Sequence, residues 1–139
     1  MITFASFNNA AKVSVECIRL WAAVLTSVPD SRLILKWASY EDEGVRNRIV
    51  SAFADRGIGV DRLEFRGMSP RGEMLGQYGD VDICLDTYPF CGGATTCDAL
   101  WMGVPVVTLS GRTPISRQSA SFLACIGQLA DPSLKPLCL

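Results

Sequence analysis

The chain has no histidine among its 139 residues. This absence excludes Ser-His-Asp and Cys-His catalysis within the sequence, and histidine metal centres with them. A proton acceptor supplied by these residues is a carboxylate or a lysine. Six cysteines are present (Cys17, Cys84, Cys91, Cys97, Cys125, Cys138), none in a C-x-x-C pair. Several sit in apolar runs, so free buried thiols in a reducing cytoplasm are expected rather than a zinc site or disulfides. Neither sign of charge is in excess, with 13 basic and 14 acidic residues. Nucleic acid, which requires a basic footprint, is therefore not an expected partner. No apolar run reaches the length of a membrane span, and the first residues lack the basic start and apolar centre of a signal peptide, so no membrane partner is expected. No strand-like run is followed by G-x-G-x-x-G, which counts against a dinucleotide-dependent oxidoreductase.

Nearly half of the residues are apolar, at 49%, enough for one self-sufficient core. Strand-like and helix-like patterns alternate along the chain. Strands are expected at Ile2 to Ser6, Arg32 to Trp37, Leu63 to Arg66, Val81 to Asp86 and Val104 to Leu109. Helices are expected from Ser14 to Ser27, Glu43 to Arg56 (ended by Gly57), Ser69 to Tyr78, Thr95 or Thr96 onward, and Ser116 to about Ile126. Ser69-Pro70 has the cap-then-proline signature of a helix start. Trp101, Met102, Val104 and Val106 are expected in the core. Alternation of this kind implies a doubly wound α/β domain, a Rossmann-like parallel sheet covered on both faces. Its ligand is expected beyond the carboxyl ends of the strands, where the Phe7–Lys12, Met68–Arg71 and Asp86–Thr96 turns would share one rim.

The most informative stretch runs from Val81 to Leu109. An apolar strand ends at Asp86, a loop carries the pair Gly92-Gly93, a short helix follows, and a second apolar strand closes the unit. Strand, glycine loop and helix together present free backbone N–H groups and a helix dipole to an anion. Gly93, Ala94, Thr95 and Thr96 are the candidates to cradle a phosphate, with the threonine hydroxyls as caps or donors. The plain alternative is an ordinary strand-to-helix loop. Asp86 ends the strand and reads first as a loop cap.

The string Gly92-Gly-Ala-Thr-Thr-Cys-Asp-Ala-Leu-Trp-Met-Gly-Val-Pro-Val-Val-Thr-Leu109 resembles the nucleotide-sugar site of the protein O-GlcNAc transferases, glycosyltransferase family 41, particularly bacterial members with tetratricopeptide repeats. Further segments agree in order: Phe4-Ala-Ser-Phe-Asn-Asn-Ala-Ala-Lys12, Leu20-Trp21, Val28-Pro-Asp-Ser-Arg-Leu-Ile-Leu-Lys36, Asp61-Arg-Leu-Glu-Phe65, Val81 to Thr87, Ser116-Arg117 and Ala120-Ser121. The resemblance extends to about Gly127. It implies the carboxyl-terminal lobe of a GT-B glycosyltransferase over residues 1–127, followed by a frayed tail at 128–139. The implied reaction transfers N-acetylglucosamine from UDP-GlcNAc to Ser or Thr hydroxyls with inversion. UDP-sugar would be the donor, no metal or other cofactor would be needed, and an acceptor protein would bind a second lobe or repeats absent from this sequence. On that expectation the chain is a fragment or truncated product, inactive alone.

The resemblance also assigns roles residue by residue. Lys12 would contact the pyrophosphate and support departure of UDP; otherwise it is a solvated lysine at a helix start. Asn9 would reach the phosphates, or serve only its turn. Arg71 stands where relatives place a basic residue near the ribose, beside backbone groups that read the uracil edge. Asp98 would hold the ribose hydroxyls, and its position in the first helical turn also suits the helix dipole. Two departures matter. Gly93 and Ala94 replace a His-Thr or Thr-Thr of relatives, leaving more of the phosphate contact to backbone N–H groups, and Met74 replaces a frequent histidine. Arg117 would face the ligand, the other lobe or a surface ion pair. A different class of function, a non-catalytic nucleotide-binding or partner-pairing module, would use the same fold.

Overall fold

The computed structural model describes residues 1–128. Five parallel strands form one sheet in the order β3-β2-β1-β4-β5, with β1 Ile2–Ser6, β2 Ser31–Lys36, β3 Leu63–Arg66, β4 Ile83–Leu85 and β5 Val106–Val107. The helices between them are α1 Val15–Ser27, α2 Glu43–Ala54, α3 Arg71–Gly76 and α4 Ala94–Trp101, and α5 Gln118–Cys125 follows the last strand. The sheet is doubly wound. Strand order reverses between β1 and β4, the topological switch point where such folds bind ligands.

Period-two alternation divides the strands between two cores. Phe4, Leu33 and Leu35 pack against Cys17, Ile18, Trp21 and Leu25 of α1 and Ile49 and Phe53 of α2. Ala5, Ile34 and Cys84 face the opposite way, toward Phe7, Tyr78, Ala99, Val104 and Val106. The near-continuous apolar strands are thus explained by burial on both faces.

Element existence matches the sequence expectation, while several boundaries and caps differ. The helix beginning at Ser69-Pro70 has Pro70 as its N-cap with no side-chain cap, ends at Gly76 and continues as a 3₁₀ turn over Gln77–Asp80. Helix α4 starts at Ala94, earlier than expected, with Gly93 as N-cap and no capping hydroxyl. The last helix divides into a 3₁₀ turn, Pro114–Ser116, and α5. Val104 to Leu109 contributes only the two-residue β5, because Pro105 has no N–H to donate and its carbonyl alone joins the sheet, accepting from Cys84.

Trp101 is not in the core. It is 85% exposed and Met102 is 39% exposed, whereas Val104 and Val106 are buried as expected. The helical repeat explains this: α4 buries Thr96 and Ala99, and residue 101 lies about 200° around the axis from residue 99. Cys17, Cys84 and Cys91 are buried free thiols, but Cys97 and Cys125 are exposed. The expected frayed tail falls almost wholly outside the described residues.

Candidate functional site

The carboxyl ends of four strands enclose a cavity of about 350 Å³ lined by Phe7 after β1, Lys36 and Trp37 at β2, Gly67, Met68, Ser69, Arg71 and Met74 between β3 and α3, and Ala94, Thr95 and Asp98 of α4. The floor is rigid. Phe7 stacks on Tyr78 with ring centroids 4.4 Å apart, and the Tyr78 hydroxyl donates to the Thr95 carbonyl at 3.3 Å. Burial pushes the Tyr78 phenol well above its ordinary pKa.

The glycine loop is organised by Asp86, which is 8% exposed. Its Oδ1 accepts from the Thr87 and Gly92 amides at 2.9 and 2.7 Å, and its Oδ2 from the Thr108 hydroxyl at 2.7 Å. A Cβ at residue 92 would overlap the Thr95 and Thr96 hydroxyls, so glycine is required there by close approach. The loop delivers the chain to Gly93 and α4. Among the described residues the amides of Gly93, Ala94 and Thr95 have no hydrogen-bond partner, which leaves three donors at the positive end of a helix dipole.

The two threonines do not act as a pair. Thr95 donates its hydroxyl to Asn8 Oδ1 at 2.8 Å at the edge of the cavity. Thr96 is 3% exposed, its hydroxyl meets Ser119 Oγ at 2.8 Å, and its amide is bonded to the Gly93 carbonyl. Thr96 therefore ties α4 to α5, and its hydroxyl points into the protein rather than to the cavity.

Arg71 and Asp98 converge across the cavity, with Arg71 Nη2 2.8 Å from Asp98 Oδ1. Asp98 is mostly buried at 14% exposure while Arg71 is 69% exposed, so the carboxylate is the enclosed partner and the guanidinium the solvent-facing one. Lys12 lies outside the cavity lining, on the neighbouring side of the glycine loop. Its Nζ donates to the Cys91 carbonyl at 3.1 Å and sits 4.3 Å from the Phe90 ring centroid. An ammonium next to Cys91 is on the same rim as the free amides that begin at Gly93. Asn9 is half-buried and caps the Ala10–Lys12 turn by accepting from the Ala11 amide at 2.9 Å. Its position orders the turn that carries Lys12. Arg117 donates to the Gly111 carbonyl at 3.1 Å, so it secures a loop, and among the described residues it forms no ion pair.

Two residues absent from the sequence expectation stand out. Asn8, 5% exposed, accepts from Thr95 and donates to Ser6 Oγ, which joins β1 to α4 across the switch point. Lys36, also 5% exposed, donates to the Gly67 carbonyl at 2.6 Å. Burial, then the charge of Arg66, hold its ammonium below the ordinary lysine pKa. The available signal was a charged residue closing the apolar run Leu33-Ile-Leu35. Among the described residues no group of His, Cys, Asp or Glu is arranged to hold a metal ion, and no helix is long and apolar enough to cross a membrane.

The family model for glycosyl transferase family 41 matches residues 1–131. The chain belongs to that family. Relatives within the family include the tomato (Solanum lycopersicum) protein named "Probable UDP-N-acetylglucosamine--peptide N-acetylglucosaminyltransferase SPINDLY", 36% identical over 127 residues. The UDP-N-acetylglucosamine--peptide N-acetylglucosaminyltransferase of Caenorhabditis elegans is 33% identical over 128 residues. Each alignment covers 91% of this chain, but only 14% of the tomato protein and 11% of the nematode one. A lysine-to-methionine mutant of Thermobaculum terrenum O-GlcNAc transferase superposes with a TM-score of 0.88 at 38% identity, covering 91% of this chain and 24% of that one. The family 41 chain described here therefore spans a small part of the length of these relatives.

Proposed function

We propose that this chain is the donor-binding lobe of a GT-B glycosyltransferase that takes UDP-GlcNAc and serves transfer of N-acetylglucosamine to Ser or Thr hydroxyls of proteins. The observation that carries the reading is the rim itself: unpartnered amides at Gly93, Ala94 and Thr95, the Lys12 ammonium beside the same loop, and the Asp98 carboxylate inside the adjoining cavity. The names of the family relatives supply the donor and the acceptor class.

The chemistry follows from charge. Breaking the bond between the sugar and the β-phosphate puts negative charge on departing UDP, and a fixed array of positive ends stabilises that charge without reorganising. The backbone amides at the start of α4 take the phosphate oxygens. Lys12, presented by the turn that Asn9 caps, adds a full positive charge once its ammonium turns from the Cys91 carbonyl to the diphosphate. Asp98 accepts from the ribose hydroxyls, with Arg71 released from it or bridging to the ligand. With an ammonium and a helix dipole in place, the lobe needs no metal. The acceptor protein would meet the sugar across a cleft between this lobe and a second one. The five free thiols among the described residues fit a reducing cytoplasm.

Calorimetric titration with UDP and UDP-GlcNAc tests the proposal on the wild-type chain and on Lys12→Ala. A charge-assisted contact of about 1.5–3 kcal/mol predicts at least a tenfold weaker affinity for the variant. Equal binding by both proteins would remove the diphosphate role of Lys12.

A further inference from the structure

The cavity has two ends, ordered by the sheet. Ala94, Thr95 and Asp98 come from the β4 side, Phe7 from the central β1, and Lys36, Trp37, Gly67, Met68 and Ser69 from the β2–β3 side. On the donor-site reading above, phosphates at the amides of α4 and a ribose at Asp98 leave the nucleobase at the β2–β3 end. The walls there suit a flat ring, because Phe7, Trp37, Met68 and Met74 are all apolar.

One full charge is enclosed at that end. Lys36 is 5% exposed, and of its three N–H donors one reaches the Gly67 carbonyl. Among the described residues no carboxylate lies within ion-pair distance of it. Of the two acids whose charge reaches it, Glu41 and Glu73, neither pairs with it, and Glu41 accepts instead from the Met68 amide at 2.7 Å. The neighbouring cation Arg66 is satisfied by Glu64 and Asp80. A buried ammonium with donors to spare is costly until an acceptor completes it, and the cavity is where that acceptor can enter.

We propose that Lys36 reads the nucleobase, donating from Nζ to the keto oxygen at ring position 4 and so selecting uracil over cytosine. This rests on the donor-site reading and adds to it a side chain that discriminates at ring position 4, beside the backbone groups near Arg71. The logic is one of donors and acceptors. Position 4 of uracil is a keto oxygen, which accepts, whereas position 4 of cytosine is an amino group, which donates. An ammonium has donors only, so the amino base places donor against donor in an apolar enclosure. The same hydrogen bond from Lys36 to Gly67 holds the loop that forms the other edge of the base site, so recognition and loop order are coupled.

Titration of the 139-residue chain with UDP and with CDP, followed by ligand-observed NMR, measures the preference. The wild type should favour UDP by at least about tenfold, the scale of one hydrogen bond to a charged group. Lys36→Met should narrow that ratio to within about threefold by removing the donor while keeping an apolar stem of similar length, and Lys36→Arg should retain it. Circular dichroism checks that the variants are folded. Unchanged discrimination in a folded Lys36→Met protein that still binds UDP would overturn the inference and leave the donor site standing. Equal binding of UDP and CDP by the wild type would overturn it without any variant. Failure of the wild type to bind UDP at all would remove the donor site and the base reader together.

Discussion

The Asp86 carboxylate holds three donors at the mouth of the glycine loop, from Thr87, Gly92 and Thr108. Acids at strand ends are common caps, and the sequence places Asp86 no higher than that. Burial changes its standing. Removing the acceptor leaves two buried amides without partners, and each orphaned donor costs about 1–3 kcal/mol. Asp86→Ala should therefore lose roughly 2–4 kcal/mol of unfolding free energy in urea titrations, and Asp86→Asn less, since one oxygen remains to accept. A variant within about 0.5 kcal/mol of wild type would mean that the loop holds its shape by other contacts. Lys36 and Thr96 carry the same lesson in opposite directions. A strand lysine becomes a cavity wall because β2 ends beneath the β3–α3 loop, and a threonine in a phosphate-binding pattern becomes a helix-to-helix tie.

Helix α1 does two jobs through one hydroxyl. Ser14 Oγ accepts from the Cys17 amide at 3.1 Å as the N-cap and donates to the Tyr88 carbonyl at 2.7 Å. About two turns past Ser14, Trp21 Nε1 donates to the Asp86 carbonyl at 3.2 Å. The helix thus carries the glycine loop on its amino-terminal half. Ser14→Ala removes the cap, which costs about 1–2 kcal/mol, and loosens the segment before Gly92. Thermal melts should show the lost stability and UDP titration a weaker affinity. Full stability with unchanged UDP binding would show that the cap and the Tyr88 contact are incidental. In α4 the same periodicity that buries Thr96 and Ala99 leaves Trp101 outside. A Trp in an apolar string reads as core until the helix axis is known.

The two-faced sheet buries thiols on both sides, and this gives the whole molecule an alkaline limit. Burial pushes Cys17 and Cys84 up from 9.0 to about 12, with the Asp86 charge adding to the rise at both. Burial raises the phenols of Tyr40 and Tyr78 as well. Both thiols stay protonated in the folded state where the unfolded chain has released its protons. Their contribution is complete below pH 9.0 and is lost as pH climbs toward about 12. Each buried thiol adds a slope of about 1.4 kcal/mol per pH unit in that window. Urea unfolding should show stability falling between pH 9 and pH 11, and Cys17→Ala should make the fall shallower. Stability independent of pH across that window would contradict the burial of both thiols.

Local chemistry was enough for most of the scaffold. Period-two and period-3.6 hydrophobicity, the Ser14 cap and the stop at Gly57, which has φ +77°, mark strands and helices whose existence the fold preserves. The glycine loop was equally legible, because Gly92 and the helix after it are adjacent in the chain. What escaped were contacts between residues far apart in sequence: Lys36 with Gly67, Asn8 with Thr95, Thr96 with Ser119 and Arg71 with Asp98. Those pairings arise only when parallel strands set their carboxyl ends side by side. Hydrophobic spacing records which face of an element is buried. It does not record which distant turn will stand opposite once the sheet has formed.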